Sequence, residues 1–230
     1  MKTIGLIGGM SWESTTLYYQ IINREVARRR GGLSSAKLNL VSLDFQDIAS
    51  RQRQGDWPGM AAILAGAAQQ LQSTGADCVL IGTNTMHKVA PEVQAATDVP
   101  LLHIADVTAD AIIRMGLGTV GLMGTSFTME QPFYVERLAE RGIACVVPNQ
   151  RQRAEIHRII FEELCQGKVL DTSRKWLQMC IADLQARGAQ GVVLGCTELP
   201  LILRPGDCAL PMFDTTSLHA MAAVDFALAD

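Results

Sequence analysis

The sequence predicts an α/β protein built from two pseudo-symmetric, doubly wound parallel-sheet domains. Three observations carry that reading. Short apolar runs alternate with helical patterns of about 10 to 17 residues, the order expected of βαβ units. Several of those runs end in glycine and pass into small polar residues. The chain also matches itself: Leu71-Gln72-Ser73-Thr74-Gly75-Ala76 and the run Cys78-Val79-Leu80-Ile81-Gly82 align with Leu184-Gln185-Ala186-Arg187-Gly188-Ala189 and Gly191-Val192-Val193-Leu194-Gly195 at a spacing of 113 residues. A second pair, Gly5-Leu6-Ile7-Gly8-Gly9-Met10-Ser11 and Gly121-Leu122-Met123-Gly124-Thr125-Ser126-Phe127, repeats at 116. One loop insertion accounts for the difference. The expected domains are residues 1–98 plus 210–230 and residues 99–209. Two such copies facing each other would bring four strand ends to a shared cleft, with positions 83 and 196 on opposite walls.

The elements follow in order. Residues 3–9 read as a buried strand entering a Gly8-Gly9 loop, and Ser11 or Ser14 caps a helix running to Arg30. A strand over 36–43, a polar loop with a short helix over 44–55 and a helix over 58–74 come next. Strand 77–82 is followed by Thr83–Lys88, which opens another helix. A strand over Pro100–Ile104 and a helix over Asp106–Met115, closed by Gly116 and Gly118, end the first copy. The second copy repeats the order: strand 119–123, helix 130–141, strand 143–147, helices near 151–166 and 171–187, strand 191–195, strand 209–213 and a final helix over 215–229.

Composition narrows the function classes. The chain has 230 residues, 48% of them apolar and 19% charged, with a net charge of −3. Its only basic run is Arg28-Arg29-Arg30, at an expected helix end where cations complement the dipole, so nucleic acid is not an expected partner. No signal peptide is recognisable, and no apolar run approaches the roughly 18 residues of a membrane span. The expected location is the cytoplasm. The six cysteines show no CxxC pairing and no histidine at metal spacing, so reduced thiols and no metal are expected.

Four turns follow strand ends: Gly8-Gly9-Met10-Ser11, Thr83-Asn84-Thr85, Gly124-Thr125-Ser126 and Cys196-Thr197-Glu198. They offer hydroxyls, an amide and backbone N–H groups, a neutral donor set suited to a carboxylate and to developing negative charge. Cys196 is the one conventional nucleophile or base among them. A helix N-terminus directly after its strand is expected to lower its pKa. The loop from Gly8 to Ser14 does not read G-x-G-x-x-G, so a dinucleotide is not expected.

With those residues in place, the chain resembles the aspartate/glutamate racemase family. The resemblance rests on Gly5–Ser11, on Thr83-Asn84-Thr85-Met86-His87, on Gly124-Thr125 and on Gly195-Cys196-Thr197-Glu198, spread over nearly the whole chain. It is nearest to the aspartate racemase branch with its broad-specificity amino acid racemases. It implies two α/β domains with the site in the cleft between them, no pyridoxal phosphate, no metal and no other cofactor, a small amino acid as substrate and a homodimer. It further implies two cysteine bases on opposite faces of the substrate. Cys196 matches the one that meets the L-enantiomer, whereas the position of the other is occupied by Thr83. A hydroxyl is no base near neutral pH without an activator, so activity biased toward the L-substrate is expected. Met10, Ser11, Asn84, Thr85, Thr125, Ser126 and Thr197 match the family's carboxylate and amino contacts. Gln52 or Arg51, with Gln52 favoured, matches a contact to the substrate side chain, and Glu198 could orient a proton or the amino group. Cys165 stands where relatives often have lysine, which argues against strict acidic specificity. Two alternatives use the same scaffold: a single-cysteine decarboxylase or cis–trans isomerase of a small dicarboxylic acid, and a non-catalytic amino-acid-binding protein.

Overall fold

The structure, a computed structural model, describes residues 1–229. The chain divides into two compact units, Met1–Ile104 with His219–Asp230 and Ala105–Leu218.

Unit 1 contains β1 (Ile4–Gly8), α1 (Trp12–Arg30), β2 (Leu38–Ser42), α2 (Phe45–Gln54), α3 (Trp57–Ser73), β3 (Cys78–Ile81) and α4 (Ala90–Ala95). Its sheet has the order β2-β1-β3, all parallel. Both faces of that sheet are covered, which is why β1 and β3 are apolar without interruption. Successive side chains leave the strand on opposite sides. Ile4, Leu6, Cys78 and Leu80 pack with Tyr18, Ile22 and Val26 of α1, while Ile7, Val79 and Ile81 pack with Met60, Leu64, Ala68 and Leu71 of α3. Each fully buried Ile, Leu or Val contributes about 1.5–3 kcal/mol to holding these layers.

Unit 2 repeats the plan with β4 (Thr119–Gly124), α6 (Ser126–Glu130), α7 (Pro132–Ala139), β5 (Ala144–Val146), α8 (Gln150–Arg158), α9 (Asp171–Ala186), β6 (Gly191–Gly195), α10 (Leu199–Ile202) and β7 (Met212–Asp214), after α5 (Ile104–Arg114). The order β5-β4-β6-β7 is again parallel throughout. It is the order of unit 1 with one strand added. Leu177, Cys180, Ile181 and Leu184 of α9 meet Met123, Val192 and Leu194 in the core. The chain then closes with α11 (Thr215–Leu228), whose Ala220, Ala223, Val224 and Ala227 join the α1 side of unit 1.

Several elements differ from the sequence reading. The expected strand over Pro100–Ile104 shrinks to a single parallel bridge, Val79 to Leu101. Three residues further on, Ile104 N–H turns away from any strand to donate to the His87 ring, and α5 begins there. The expected helix over 130–141 is instead α6 and α7, because Pro132 cannot continue α6 and starts α7. The helix read over 151–166 tightens and loosens in turn: α8 ends at Arg158, a π-helical turn covers Ile159–Glu163 and a 3-10 turn covers Leu164–Gln166. The units part at Ile104/Ala105 and Leu218/His219, whereas boundaries at 98/99 and 209/210 were expected. Met212–Asp214 belongs with unit 2 because it pairs with β6.

The loop after β1 is held by backbone contact. Leu43 N–H donates to the Gly8 carbonyl at 3.0 Å, and Gly9 has φ +87°, with a Cβ at that position colliding with the Leu43 backbone. Gly9→Ala therefore lowers stability by about 1–3 kcal/mol. A urea midpoint that drops at constant m-value is the expected result; an unchanged midpoint would show that the loop does not lean on Leu43.

Candidate active site

In unit 1 the site residues occupy two adjacent loops at the carboxyl edge of the sheet. Gly82 N–H donates to the Ile7 carbonyl at 2.8 Å, so β1 and β3 stay paired to their ends. Met10 and Ser11 follow one strand; Thr83, Asn84 and Thr85 follow the other. Met10, Ser11, Asn84 and Thr85 are buried, and Thr83 is half-buried. Ser11 caps α1, its Oγ accepting from Ser14 N. Thr15 completes this corner by accepting from Gly9 N at 2.8 Å and donating to the Ser11 carbonyl at 2.8 Å. The Thr83 hydroxyl has no hydrogen-bond partner among the described residues, so no activating base stands beside it. His87, four residues on, binds the Thr83 carbonyl rather than its hydroxyl.

Gln52 reaches the same region from α2. It is buried, and its Nε2 donates to the Met86 thioether at 3.4 Å. Sulfur is a weak acceptor, so this bond exchanges readily for a carboxylate or carbonyl oxygen. Arg51, by contrast, is committed to an ion pair with Asp56.

In unit 2, Gly124 pairs with Gly195, so Thr125 and Cys196 emerge side by side from β4 and β6. Thr125 Oγ1 caps α6 by accepting from Thr128 N, and Ser126 N–H donates to His157 Nδ1 at 3.2 Å. The amide of Ser126 is thus already used within the protein. Cys196 is 6% exposed and Glu198 4%. Cys196 Sγ donates to Glu198 Oε2 at 3.0 Å, and Thr197 Oγ1 donates to the same oxygen at 2.9 Å.

This geometry reverses the expectation of a lowered thiol pKa. Burial first, then the negative charge of Glu198, pushes the Cys196 thiol well above its ordinary value. The expected helix does not begin at Cys196; α10 starts at Leu199 and is four residues long. A helix terminus is worth about 0.3–1 kcal/mol to a nearby charge. Two unit charges 4 Å apart at an effective dielectric of 20 interact by about 4 kcal/mol. The carboxylate wins, and the resting site holds a protonated thiol hydrogen-bonded to a carboxylate. Glu198 lies just before α10 and binds the sulfur directly. Cys165 belongs to the same packed cluster and contributes in the same direction to the Cys196 shift. Burial also pushes Cys78 and Cys180 up to about 12, as suits inert core thiols.

Two positions escaped the sequence reading, His157 and Thr15, whereas His87 lies in the Thr83–His87 motif already singled out. His87, His157 and Thr15 hold the backbone of the site loops. Only Thr15 carries a local signal, since it lies one helical turn from Ser11; His157 is 31 residues from Ser126. No group of His, Cys, Asp or Glu among the described residues is arranged to hold a metal ion, and no helix is long and apolar enough to cross a membrane.

Comparison with known proteins supplies the context for this thiol. The model of the Asp/Glu/Hydantoin racemase family matches residues 7–223. A crystal structure from Yersinia pestis, named only provisionally as an Asp/Glu racemase, is 49% identical with a TM-score of 0.93, covering 100% of both chains. An aspartate racemase homologue from Pyrococcus horikoshii is 37% identical over 99% of both chains, with a TM-score of 0.85. The broad specificity amino-acid racemase RacX of Bacillus subtilis is 26% identical over 98% of each chain. A cysteine at the end of a buried strand, the paired glycine-ended strands and a match spanning nearly the whole sequence converge: this chain belongs to the Asp/Glu/hydantoin racemase family of enzymes.

Proposed function

We propose that the protein is a cofactor-independent amino acid racemase in which Cys196 exchanges the α-proton of an L-amino acid, with aspartate and glutamate as the leading substrates. The observation that carries this reading is the Cys196 Sγ to Glu198 Oε2 hydrogen bond of 3.0 Å at the carboxyl end of β6. A protonated thiol cannot remove a proton, so the site must first discharge it. Glu198 is the acceptor in place: it takes the Sγ proton, and the thiolate that remains then takes the Cα proton. A substrate ammonium arriving nearby would favour this step, since an adjacent positive charge stabilises a thiolate.

The carbanion has two fates. Once the thiol has exchanged its proton with solvent, return from Cys196 regenerates the L-substrate with a solvent-derived hydrogen. Delivery from the other face, by Thr83 or a water that it orients, gives the D-enantiomer and leaves Cys196 holding the proton that it removed; Glu198 then passes the original thiol proton to solvent, and the alkoxide or hydroxide left on the Thr83 face takes one up from solvent. Thr83 lacks an activating partner, so Cα exchange that starts from the D-substrate is the slow exchange, while inversion, whose equilibrium constant is one, is held back equally in both directions. Backbone and side-chain donors of Met10, Ser11, Asn84, Thr85, Thr125 and Thr197 would hold the α-carboxylate, and Gln52 the substrate side chain. Cys165, standing where relatives often have lysine, fits a substrate range wider than the two acidic amino acids.

Three outcomes test the reading. In D2O, L-aspartate or L-glutamate exchanges Cα hydrogen faster than its D-enantiomer, and Cys196→Ala lowers that exchange by at least about a hundredfold; equal exchange from both enantiomers would remove the assigned asymmetry. Thr83→Cys raises activity toward the D-substrate, and the absence of any gain would show that this position does not act on the substrate. Glu198→Gln separates the two effects of the carboxylate: alkylation of Cys196 by iodoacetamide shifts to lower pH because a negative charge is gone, while Cα exchange falls by about a hundredfold or more because the proton acceptor is gone. A protein that exchanges no amino acid but releases CO2 from a malonate-type acid would be the single-cysteine decarboxylase instead.

A further inference from the structure

Unit 1 contains a buried cluster that the proposed chemistry does not use. His87 is 2% exposed and His219 is fully buried. The ring centroids of His87 and His103 lie 4.6 Å apart, and those of His87 and His219 lie 5.7 Å apart. The hydrogen bonds assign the protons. Ile104 N–H points at His87 Nε2 at 3.2 Å and can only donate, so Nε2 is bare and the proton sits on Nδ1. That Nδ1–H donates to the Thr83 carbonyl at 2.8 Å. His219 is the opposite tautomer, because its Nε2 faces the Leu102 carbonyl at 2.7 Å and must carry the hydrogen. Its Nδ1 then accepts from the Tyr18 hydroxyl at 2.9 Å. Burial, together with the neighbouring rings, holds His87 well below the ordinary imidazole range and His219 at about 4, in keeping with two neutral rings.

The two imidazoles grip one short segment. Leu102 and Ile104 bracket His103, and the chain leaves unit 1 directly after Ile104. It returns at His219. The same His87 ring that holds the exit segment also holds the backbone of Thr83, the first residue of the site loop after β3. We propose that His87 is a positioning residue: by bridging Ile104 N–H and the Thr83 carbonyl as its Nδ1–H tautomer, it sets the Thr83–Thr85 loop relative to the segment at which the chain exits unit 1. The proposal rests on the racemase reading for what Thr83 does, but not for the bridge itself. Cys196 lies in the other unit and does not depend on that bridge, so the two faces of the reaction should respond differently.

The test compares two rates on one substrate. With L-aspartate or L-glutamate in D2O, exchange with retention reports proton removal and return by Cys196, and inversion reports delivery at the Thr83 face. In His87→Ala, exchange with retention stays within about threefold of the wild type while inversion falls by about tenfold or more, the scale expected when a reacting group is displaced by a fraction of an ångström to 1 Å. His87→Asn keeps a donor near the Thr83 carbonyl and recovers part of the inversion. Loss of both rates in equal proportion, or no loss in either variant, overturns the proposal, since a merely structural role would not change their ratio. Two readouts need no turnover: imidazole 15N signals of the wild-type protein should show Nδ1 of His87 protonated, and amide exchange of Ile104 should accelerate in His87→Asn. Protonation at Nε2, or an unchanged Ile104 amide, would sink the bridge even if the protein proved not to be a racemase; absent Cα exchange with an intact bridge would instead count against the racemase reading.

Discussion

Backbone meets backbone at the carboxyl edges of both sheets, with no side chain between, and the site depends on that closeness. A Cβ on Gly124 would lie 2.7 Å from the Gly195 carbonyl, and one on Gly82 would lie 3.1 Å from the Ile7 carbonyl. Glycine at these positions lets β4 pair with β6, and β1 with β3, through their last residues. The chains then leave at one level, and Thr125 comes out beside Cys196 as Met10 comes out near Thr83. Open parallel sheets place ligands at these edges because loops with free amides and hydroxyls gather there. The repeated glycines are therefore the physical content of the sequence repeat.

Electrostatics at Cys196 is dominated by burial and one carboxylate. A short helix such as α10 offers few aligned peptide dipoles, and its first residue lies three positions past the sulfur. Glu198 turns back onto the thiol and adds charge where the medium screens it least. Under the proposed function, such a thiol would be inert at rest and armed by a cation, a useful property for a cysteine that must avoid alkylation and oxidation. An amino acid substrate carries that cation itself.

Histidine serves here as scaffold. In unit 1 His87 binds the Thr83 carbonyl, and in unit 2 His157 accepts from Ser126 N–H. Burial lowers the pKa of both, which favours neutral rings with one donor and one acceptor; His87 uses the two to bridge two fixed backbone groups, the Thr83 carbonyl and Ile104 N–H. An imidazolium could not do this, having two donors and no acceptor. The neutral ring also costs less to bury than an ion would. Lysine or arginine at position 87 would meet both penalties.

The sequence alone was enough to determine the class of fold, the two-fold repeat, the strand ends and the lone thiol among four strand-end turns. These are local properties: apolar runs with their glycine stops report strand burial, and a repeat survives in residue spacing. The resemblance carried by the strand-end motifs adds the expectation that Thr83 stands where family members carry a cysteine. Tertiary structure alone decided the protonation of Cys196, the direction in which Glu198 points, the reduction of the Pro100–Ile104 strand to one bridge at Leu101, and the use of His87 and His157 as backbone clamps. Each of those depends on desolvation or on a partner brought in from a distant element, and spacing along the chain carries no record of which buried groups will share a low-dielectric interior.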